Sequence, residues 1–310
     1  MSYRANGKLL LTAEYFVLDG AIALALPVNK GQSLHLLGNP DGIDYLHWQS
    51  FNVDGSLWFE GKFSLPYGSY LEGTHPKVGE KLSSIFAHIR AVKPNFLANA
   101  KGLKVQTQLD FVREWGLGTS STLIATMANW AGIDPFKLQF AAFGGSGYDI
   151  ACANVQHPIL YQKVPEIRVE KADFTPSFKE QLYFVYLGKK QNSRTGIAHY
   201  RKLVKSAPQL IDEVTALTKA CLDAKHLQDF ERIMVAHEEL IAKNLQMERA
   251  KTRYFSDFWG EVKSLGAWGG DFILVTSDRS SAETRQYFHE RGFEQFFTYS
   301  DFTIFDGMRV

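Results

Sequence analysis

Two glycines and three hydroxyl residues stand directly before an apolar helical pattern in the segment EWGLGTSSTLIATMANW, residues 114–130. The first backbone N–H groups of a helix have no partner within the helix, and they form the positive end of its dipole. A turn without Cβ atoms lets a phosphate group reach those N–H groups. Serine and threonine are also ordinary helix caps. The segment alone therefore leaves two interpretations open, a phosphate-binding turn and a simple helix start.

Three further short segments combine residue types that could take part in chemistry. In ANGKLLLTAEYFVLDG (5–20), Lys8 enters an expected strand and Glu14 follows six residues later. In GGSGYDIACA (144–153), Asp149 follows a run of small residues, and LGAWGGDFILV (265–275) is a glycine turn before an apolar strand. Each segment also has an ordinary structural interpretation, as a solvated strand end, a helix cap and a plain turn. Taken singly, none of them identifies an activity.

The amino-acid composition narrows the classes of protein to which this chain could belong. The 310 residues are 45% hydrophobic and 22% charged, which predicts a globular chain, more readily of two domains than of one. The formal charge of +1 gives no support to a nucleic-acid or membrane-surface protein, although a small anionic ligand needs only a local cluster of cations. Cys152 and Cys221 are too far apart to suggest a disulfide framework or a zinc site. The N-terminal apolar run is too short for a signal peptide, and a cytoplasmic protein is expected.

The chain that positions these segments has two halves, which differ in their predicted secondary structure. Before residue 157, apolar periodicity predicts strands at 7–37, 44–65 and 103–111, and helices at 80–92 and after the 116–121 turn. After residue 157 it predicts strands at 181–188, 271–276 and 301–306, and helices at 195–205, 208–223, 227–247 and 280–291. His237 lies on the apolar face of the 227–247 helix, but Ile241 breaks the zinc-binding H-E-x-x-H pattern. The predicted class is α+β.

The order and spacing of the four segments resemble the GHMP kinase family, named for galactokinase, homoserine kinase, mevalonate kinase and phosphomevalonate kinase. The central family motif reads approximately P-x-x-x-G-L-G-S-S-A, which the GLGTS segment at 116–120 matches closely. LLTAEYFVLDG, GSGYDIACA and GAWGGDF are most similar to the phosphomevalonate kinase branch. The SGYDIA pattern is also that of a bacterial subgroup of the family. This resemblance extends from Lys8 to about Val275.

The resemblance implies a two-domain fold: a domain similar to ribosomal protein S5 domain 2 at 1–165, and a ferredoxin-like α/β plait at 166–310. It implies ATP and Mg²⁺ as cofactors, a small anionic substrate that meets ATP between the domains, no nucleic-acid or membrane partner, and a monomer or homodimer. The activity it implies is transfer of the ATP γ-phosphoryl group, with phosphomevalonate as the first acceptor to consider. Mevalonate, another small alcohol or a sugar stays open as the acceptor.

The resemblance also assigns roles to individual residues. Asp149 would accept or orient the proton of the acceptor, and Lys8 would keep Asp149 ionised. Ser120 would bind Mg²⁺. The nucleotide phosphates would be held by Gly116, Leu117, Gly118, Thr119, Ser120, Ser121, Gly269 and Gly270. The acceptor would be bound by Glu14, Lys189, Lys190, Ser193, Arg194 and Asp271.

Several positions depart from the family pattern. Ala13 replaces a usual glycine, and Trp268 is large for a glycine-rich turn. Where mevalonate kinases use a glutamate to hold Mg²⁺, this chain has Leu138, and the neighbouring Gln139 is a weaker, neutral ligand. The rival from another class is a catalytically degenerate nucleotide- or RNA-binding module. The near-neutral charge and the retained Lys8, Ser120 and Asp149 argue against that rival.

Overall fold

A computed structural model describes residues 1–39, 41–205, 207–268 and 270–305. These residues form two compact units, each assembled from separate stretches of the chain. The first unit comprises Met1–Gly7, Lys30–Arg113 and Leu117–Asn154. The second comprises Lys8–Asn29, Glu114–Gly116 and the described residues from Val155 onward. The division into 1–165 and 166–310 concerns family domains and stays a prediction.

Strands and helices alternate irregularly along the chain, which confirms the predicted α+β class. The strands are β1 (Ser2–Leu10), β2 (Ala23–Leu36), β3 (Leu46–Phe51), β4 (Leu57–Phe63), β5 (Tyr70–Gly73), β6 (Leu103–Leu109), β7 (Ile159–Gln162), β8 (Arg168–Lys171), β9 (Leu182–Tyr186), β10 (Val262–Ser264), β11 (Phe272–Thr276) and β12 (Phe296–Thr298). The helices are α1 (Pro76–Val92), α2 (Thr119–Ala131), α3 (Pro135–Ala142), α4 (Tyr148–Ala153), α5 (Ser193–Leu203), α6 (Pro208–Asp223), α7 (Leu227–Leu245), α8 (Ala250–Tyr254), α9 (Ser281–His289) and α10 (Tyr299–Phe302). None of the helices in these described ranges is both long and apolar enough to span a membrane.

The first unit is built on a sheet whose strands lie in the order β5-β4-β3-β6-β2. β3 and β6 are parallel, and the other neighbours are antiparallel. Helices α1 and α2 bury their apolar faces in one core with the side chains of the sheet. The helix predicted at 80–92 is confirmed within α1, and its apolar residues Leu82, Ile85, Phe86 and Ile89 are all buried. This core supports the N-terminal ends of α2 and α4, which carry the predicted site residues Thr119, Ser120, Ser121 and Asp149.

The second unit contains an antiparallel sheet in the order β10-β11-β9-β12. Phe255, Phe258 and Phe288 belong to one core with Ile273 and Val275 of β11. The first residues of β2 pair with β7, and β7 pairs with β8.

The strand predicted at 301–306 is wrong for all of its described residues: 301 and 302 belong to α10, Thr303 forms only an isolated bridge with Val28, and 304 and 305 lie outside any strand. The Thr298 side chain caps this short helix by accepting a hydrogen bond from the Asp301 backbone N–H, and Phe302 is buried. The capping residue therefore overrides the strand propensity of the aromatic residues around it.

Candidate functional site

The start of α2 is the turn that the sequence identified first. Gly118 precedes the helix with a φ of 97°, a left-handed conformation that glycine adopts readily. The Ser121 hydroxyl donates to the Gly118 carbonyl at 2.9 Å, and the Thr122 hydroxyl donates to Gln32 Oε1 at 2.8 Å. Thr119 is half-buried and Ser120 is exposed. Because Gly118 has no side chain, the N-cap residue cannot accept from the first-turn N–H groups, which are the groups that a helix start offers to an anion.

Asp149 lies in the first turn of α4, in the same unit. Gly147, with a φ of 93°, precedes this helix just as Gly118 precedes α2. The two helices pack against each other, and Asn129 Nδ2 of α2 donates to Asn154 Oδ1 at the end of α4 at 3.0 Å. The first unit therefore presents two helix N-termini, each entered through a left-handed glycine. The predicted site residues Thr119, Ser120 and Ser121 lie at the first, and Asp149 lies at the second.

The position that corresponds to the metal-binding glutamate of mevalonate kinases is buried. Leu138 is 2% exposed and belongs to the core of the first unit. Gln139 is also buried, and its Nε2 donates to the Gly144 carbonyl at 3.0 Å. Gln139 therefore holds the turn before α4, and α3 offers no carboxylate at either position.

In the second unit, Lys8, Gly116 and Asp271 line one small cleft, whose other walls are mostly apolar. Lys8 Nζ donates to the Gly116 carbonyl at 2.9 Å. Gly116 has a φ of 70°, and a Cβ atom there would lie 2.5 Å from the carboxyl carbon of Asp271. The first glycine of the GLG segment is therefore required both by its backbone conformation and by the approach of Asp271.

Asp271 is held in a demanding conformation. Its φ is 53°, its backbone N–H donates to the Lys189 carbonyl at 2.7 Å, and its Oδ1 accepts from the Gln191 N–H at 3.0 Å. Burial raises the pKa of Asp271 to about 6, although the Gln191 hydrogen bond and the charges of Lys8 and Lys190 act in the opposite direction. A non-glycine residue kept in the left-handed region at a cleft is typical of a functional position.

The predicted acceptor-binding cations lie on the loop that Asp271 holds. Lys189, Lys190 and Arg194 are exposed, and Ser193 is the first residue of α5, whose Asn192 cap accepts from the Arg194 N–H at 3.0 Å. A Cβ atom at Gly270 would lie 2.4 Å from the Lys189 carbonyl, so the glycine turn packs directly on this loop. Gly269, predicted to contact the nucleotide, lies outside the described residues. The structure thus brings the cationic loop and Asp271 together.

Glu14 is completely buried. Its carboxylate forms an ion pair with Lys263 Nζ, which also donates to the Ser264 carbonyl at 2.9 Å. In this position Glu14 stabilises the fold, and its contact with an acceptor stays a prediction.

Two neighbours complete the buried charge cluster, defined here as Glu14, Lys263, His237 and Glu238. His237 Nε2 accepts from the Ala13 N–H at 2.9 Å, and Glu238 Oε1 accepts from the Ser264 N–H at 3.0 Å. Burial holds the pKa of His237 well below its ordinary value and raises that of Glu238 to about 8. This cluster could not be predicted from the sequence. The one feature that pointed to it was a histidine on the apolar face of α7.

The Gly116→Ala substitution is expected to lower the free energy of unfolding by about 1–3 kcal/mol, because the methyl group meets Asp271 on a left-handed backbone. Gly188→Ala is the matched control, since Gly188 has a φ of 74° and open space around its Cα. Chemical denaturation of both variants separates the clash from the backbone cost. Equal losses in the two variants would contradict the close approach of Asp271 to Gly116.

Comparison with solved structures identifies the fold. The Methanococcus jannaschii mevalonate kinase matches with a TM-score of 0.70 at 14% identity, over 96% of each chain. The Streptococcus pneumoniae phosphomevalonate kinase, in complex with phosphomevalonate and AMPPNP, matches with a TM-score of 0.67 at 16% identity, over 96% of this chain and 99% of its own. The Lactococcus lactis galactokinase complexed with galactose matches with a TM-score of 0.67 at 11% identity, over 98% of this chain and 93% of its own. No protein-family model matches the sequence, and no curated protein matches it.

These structures are small-molecule kinases of the GHMP type, and the predicted two-domain α+β fold of that family is confirmed. The three kinases are named for different substrates, so the likeness establishes the fold, and the acceptor has to be argued from the residues.

Proposed function

We propose that the protein is an ATP-dependent phosphotransferase that acts on a small anionic acceptor. The observation that supports this most directly is the start of α2, where the N-cap residue Gly118 has no side chain to accept from the first-turn N–H groups. Phosphoryl transfer needs little covalent chemistry from a protein, because positioning and charge stabilisation supply most of the rate. A glycine-entered helix N-terminus, a lysine and a carboxylate are suited to those two tasks.

The proposed roles of the individual residues are those that the family resemblance implies. Backbone N–H groups of the 116–121 segment bind the triphosphate, together with the glycine turn that contains Gly270. The exposed Ser120 hydroxyl would be a ligand of Mg²⁺ bound with the nucleotide, which would supply positive charge beside the phosphates. Asp149 accepts the acceptor proton or, for an already ionised phosphate, orients the acceptor. Lys8 stabilises the negative charge of the transferring group.

For the acceptor we propose phosphomevalonate, which places the reaction in isoprenoid-precursor synthesis in the cytoplasm. Lys189, Lys190 and Arg194 support this choice, because three exposed cations within six residues suit a doubly charged phosphate. Ser193 and Asp271 lie next to these cations and are proposed to contact the same molecule. We expect a monomer or homodimer that needs no nucleic-acid or membrane partner.

Product identification tests the proposal. The protein is incubated with Mg-ATP and separate acceptors: phosphomevalonate, mevalonate, galactose and homoserine. A product of phosphomevalonate that is heavier by one phosphoryl group is the expected result. Turnover of a different acceptor would replace the substrate and keep the kinase activity. Failure of every acceptor, together with no binding of ATP, would contradict the activity itself and favour a degenerate binding module.

The Ser120→Ala substitution is expected to raise the Mg²⁺ concentration needed for half-maximal rate, because it removes an oxygen ligand. Thermal stability should change little, since Ser120 is exposed and Gly118 occupies the N-cap position. Ser121→Ala is the matched control: it keeps the backbone N–H but loses the hydroxyl that donates to the Gly118 carbonyl, which should cost about 1 kcal/mol. A lower melting temperature with an unchanged Mg²⁺ titration in Ser120→Ala would contradict the metal role.

A further inference from the structure

We propose that Asp19 is a positioning residue, which holds α5 so that Ser193 and Arg194 at the start of this helix face the acceptor. Asp19 and the whole of α5 belong to the second unit. The inference rests on the proposed function, because it requires that the start of α5 contacts the acceptor. Asp19 itself acts through the helix and is not proposed to touch the substrate.

Helix α5 is held to the second unit by little apolar contact. All 11 residues of α5 are described, and Tyr200 is the only one of them that is buried. The neighbouring helix α7, in contrast, buries side chains from Leu227 to Leu245. Because packing of an apolar face supplies most of the stability of a helix in a protein, the position of α5 depends on a few specific contacts around Tyr200.

Asp19 provides the polar contact at this point. It ends a short 3₁₀ turn, Phe16–Asp19, and its side chain is 12% exposed. The Tyr200 hydroxyl donates to Asp19 Oδ2 at 2.5 Å, and the Arg201 guanidinium forms an ion pair with Asp19 Oδ1. Two consecutive residues of α5 therefore bind the two oxygens of one carboxylate. Consecutive residues point about 100° apart around a helix, so these two contacts together fix its rotation as well as its position.

The segment that carries Asp19 also contacts α5 one turn earlier. The rings of Tyr15 and Tyr200 stack with their centroids 5.7 Å apart. A Cβ atom at Gly196 would lie 2.3 Å from the Tyr15 hydroxyl oxygen, so the glycine allows a close approach of the helix. Residues 196 and 200 lie on the same side of a helix. Any shift of α5 at Tyr200 would therefore also change the contact at Gly196, close to the start of the helix.

The distance from this anchor to the proposed acceptor ligands is short. Arg194 precedes Tyr200 by six residues, which is about 9 Å along the helix axis. The loop before α5 is tied separately, because the Gln191 N–H donates to Asp271 Oδ1 at 3.0 Å. Arg194 thus lies between two fixed points. Loss of the Asp19 contacts releases one of them and lowers the fraction of molecules in which Arg194 is correctly placed.

Tyr200→Phe tests this role, because it removes the hydroxyl that binds Asp19 and keeps the ring that stacks on Tyr15. The KM for the acceptor identified by the product test should rise by about fivefold or more, since fewer molecules present Arg194 correctly. The kcat and the KM for ATP should change by less than about twofold. Hydrogen exchange of the α5 amides, which does not depend on turnover, should become faster by about tenfold or more.

The second unit contains a matched control at another helix. The Tyr287 hydroxyl of α9 donates to Asp257 Oδ1 at 2.5 Å, and Arg291 forms an ion pair with Asp257 Oδ2 at 2.6 Å. Tyr287→Phe therefore removes the same kind of hydrogen bond from a helix that carries no proposed acceptor ligand. Its acceptor KM and its α5 exchange should equal those of the wild type. A role of Asp19 in stability alone predicts that neither Tyr→Phe change alters the acceptor KM.

A second pair of variants covers the case in which Tyr200→Phe does not fold. The Arg201 side chain is 49% exposed, so Arg201→Gln removes the ion pair with Asp19 from a position that tolerates change. The acceptor KM should rise by about threefold or more in Arg201→Gln, with kcat unchanged. Arg201→Lys keeps a cation for the Asp19 carboxylate and should recover most of the affinity for the acceptor.

An unchanged acceptor KM in folded Tyr200→Phe and Arg201→Gln proteins would overturn this inference and leave the proposed kinase activity intact. Equal rises of the acceptor KM in Tyr200→Phe and Tyr287→Phe would also overturn it. Failure of the wild-type protein to bind ATP and to use any acceptor would overturn the proposed function and, with it, the positioning role of Asp19.

Discussion

The Lys263→Met substitution is expected to lower the free energy of unfolding by about 3–5 kcal/mol. Lys263 is 2% exposed, and its ammonium group is the cation of the buried charge cluster. Without it, the fully buried Glu14 carboxylate must either keep an unpaired charge or take up a proton, and both cost free energy. Chemical denaturation measures the loss.

Lys62→Met is the control for the loss of a lysine as such, because the Lys62–Glu72 pair is largely solvent-exposed. Exposed pairs of this kind contribute at most about 1 kcal/mol. The double variant Glu14→Gln/Lys263→Met removes both charges and should recover part of the stability. A Lys263→Met loss as small as that of Lys62→Met would contradict the importance of the buried pair.

The Asp149→Asn substitution is expected to reduce turnover by about 10²-fold or more, the contribution of a positioned acid–base group. The amide keeps the shape of the side chain and removes its charge, so ATP affinity and thermal stability should change little. Steady-state kinetics with the acceptor identified by the product test, together with nucleotide binding, provide the measurement.

Asp134→Asn is the matched control in the same unit. Asp134 caps α3 by accepting from the Phe136 and Lys137 N–H groups, and asparagine caps a helix about as well. Its turnover and stability should stay close to those of the wild type. Near-normal turnover in a folded Asp149→Asn protein would remove Asp149 from the proposed chemistry.

Local features could be predicted from the sequence because they depend on nearby residues. The faces of α1 and α7 follow from helical periodicity, and an Asp-Gly pair such as Asp54-Gly55 is a local signal of the hairpin turn that connects β3 and β4. Ala13 stands where the family usually has a glycine, and the backbone explains that preference: the φ of Ala13 is 62°, a conformation that glycine adopts without strain. These signals required no knowledge of distant contacts.

The contacts that build the site could not be predicted in the same way. Glu14 and Lys263 are 249 residues apart in sequence, and nothing in either segment indicates that they form a buried pair. The approach of Asp271 to Gly116 likewise depends on two turns from different parts of the chain. The boundaries of the two units could not be predicted from local signals either. Gly7 and Lys8 are consecutive residues of β1, yet they belong to different units.

The buried Glu238 affects the electrical behaviour of the whole molecule. Because its pKa is about 8, this side chain is mostly neutral at pH 7, and it makes the native protein nearly one unit more positive than its formal +1. The unfolded chain ionises the same group near pH 4.5. Unfolding therefore releases a proton between about pH 4.5 and pH 8, and the free energy of unfolding falls as pH rises through that range. In native electrophoresis the protein should therefore migrate as a more positively charged molecule than the count of its charged residues indicates.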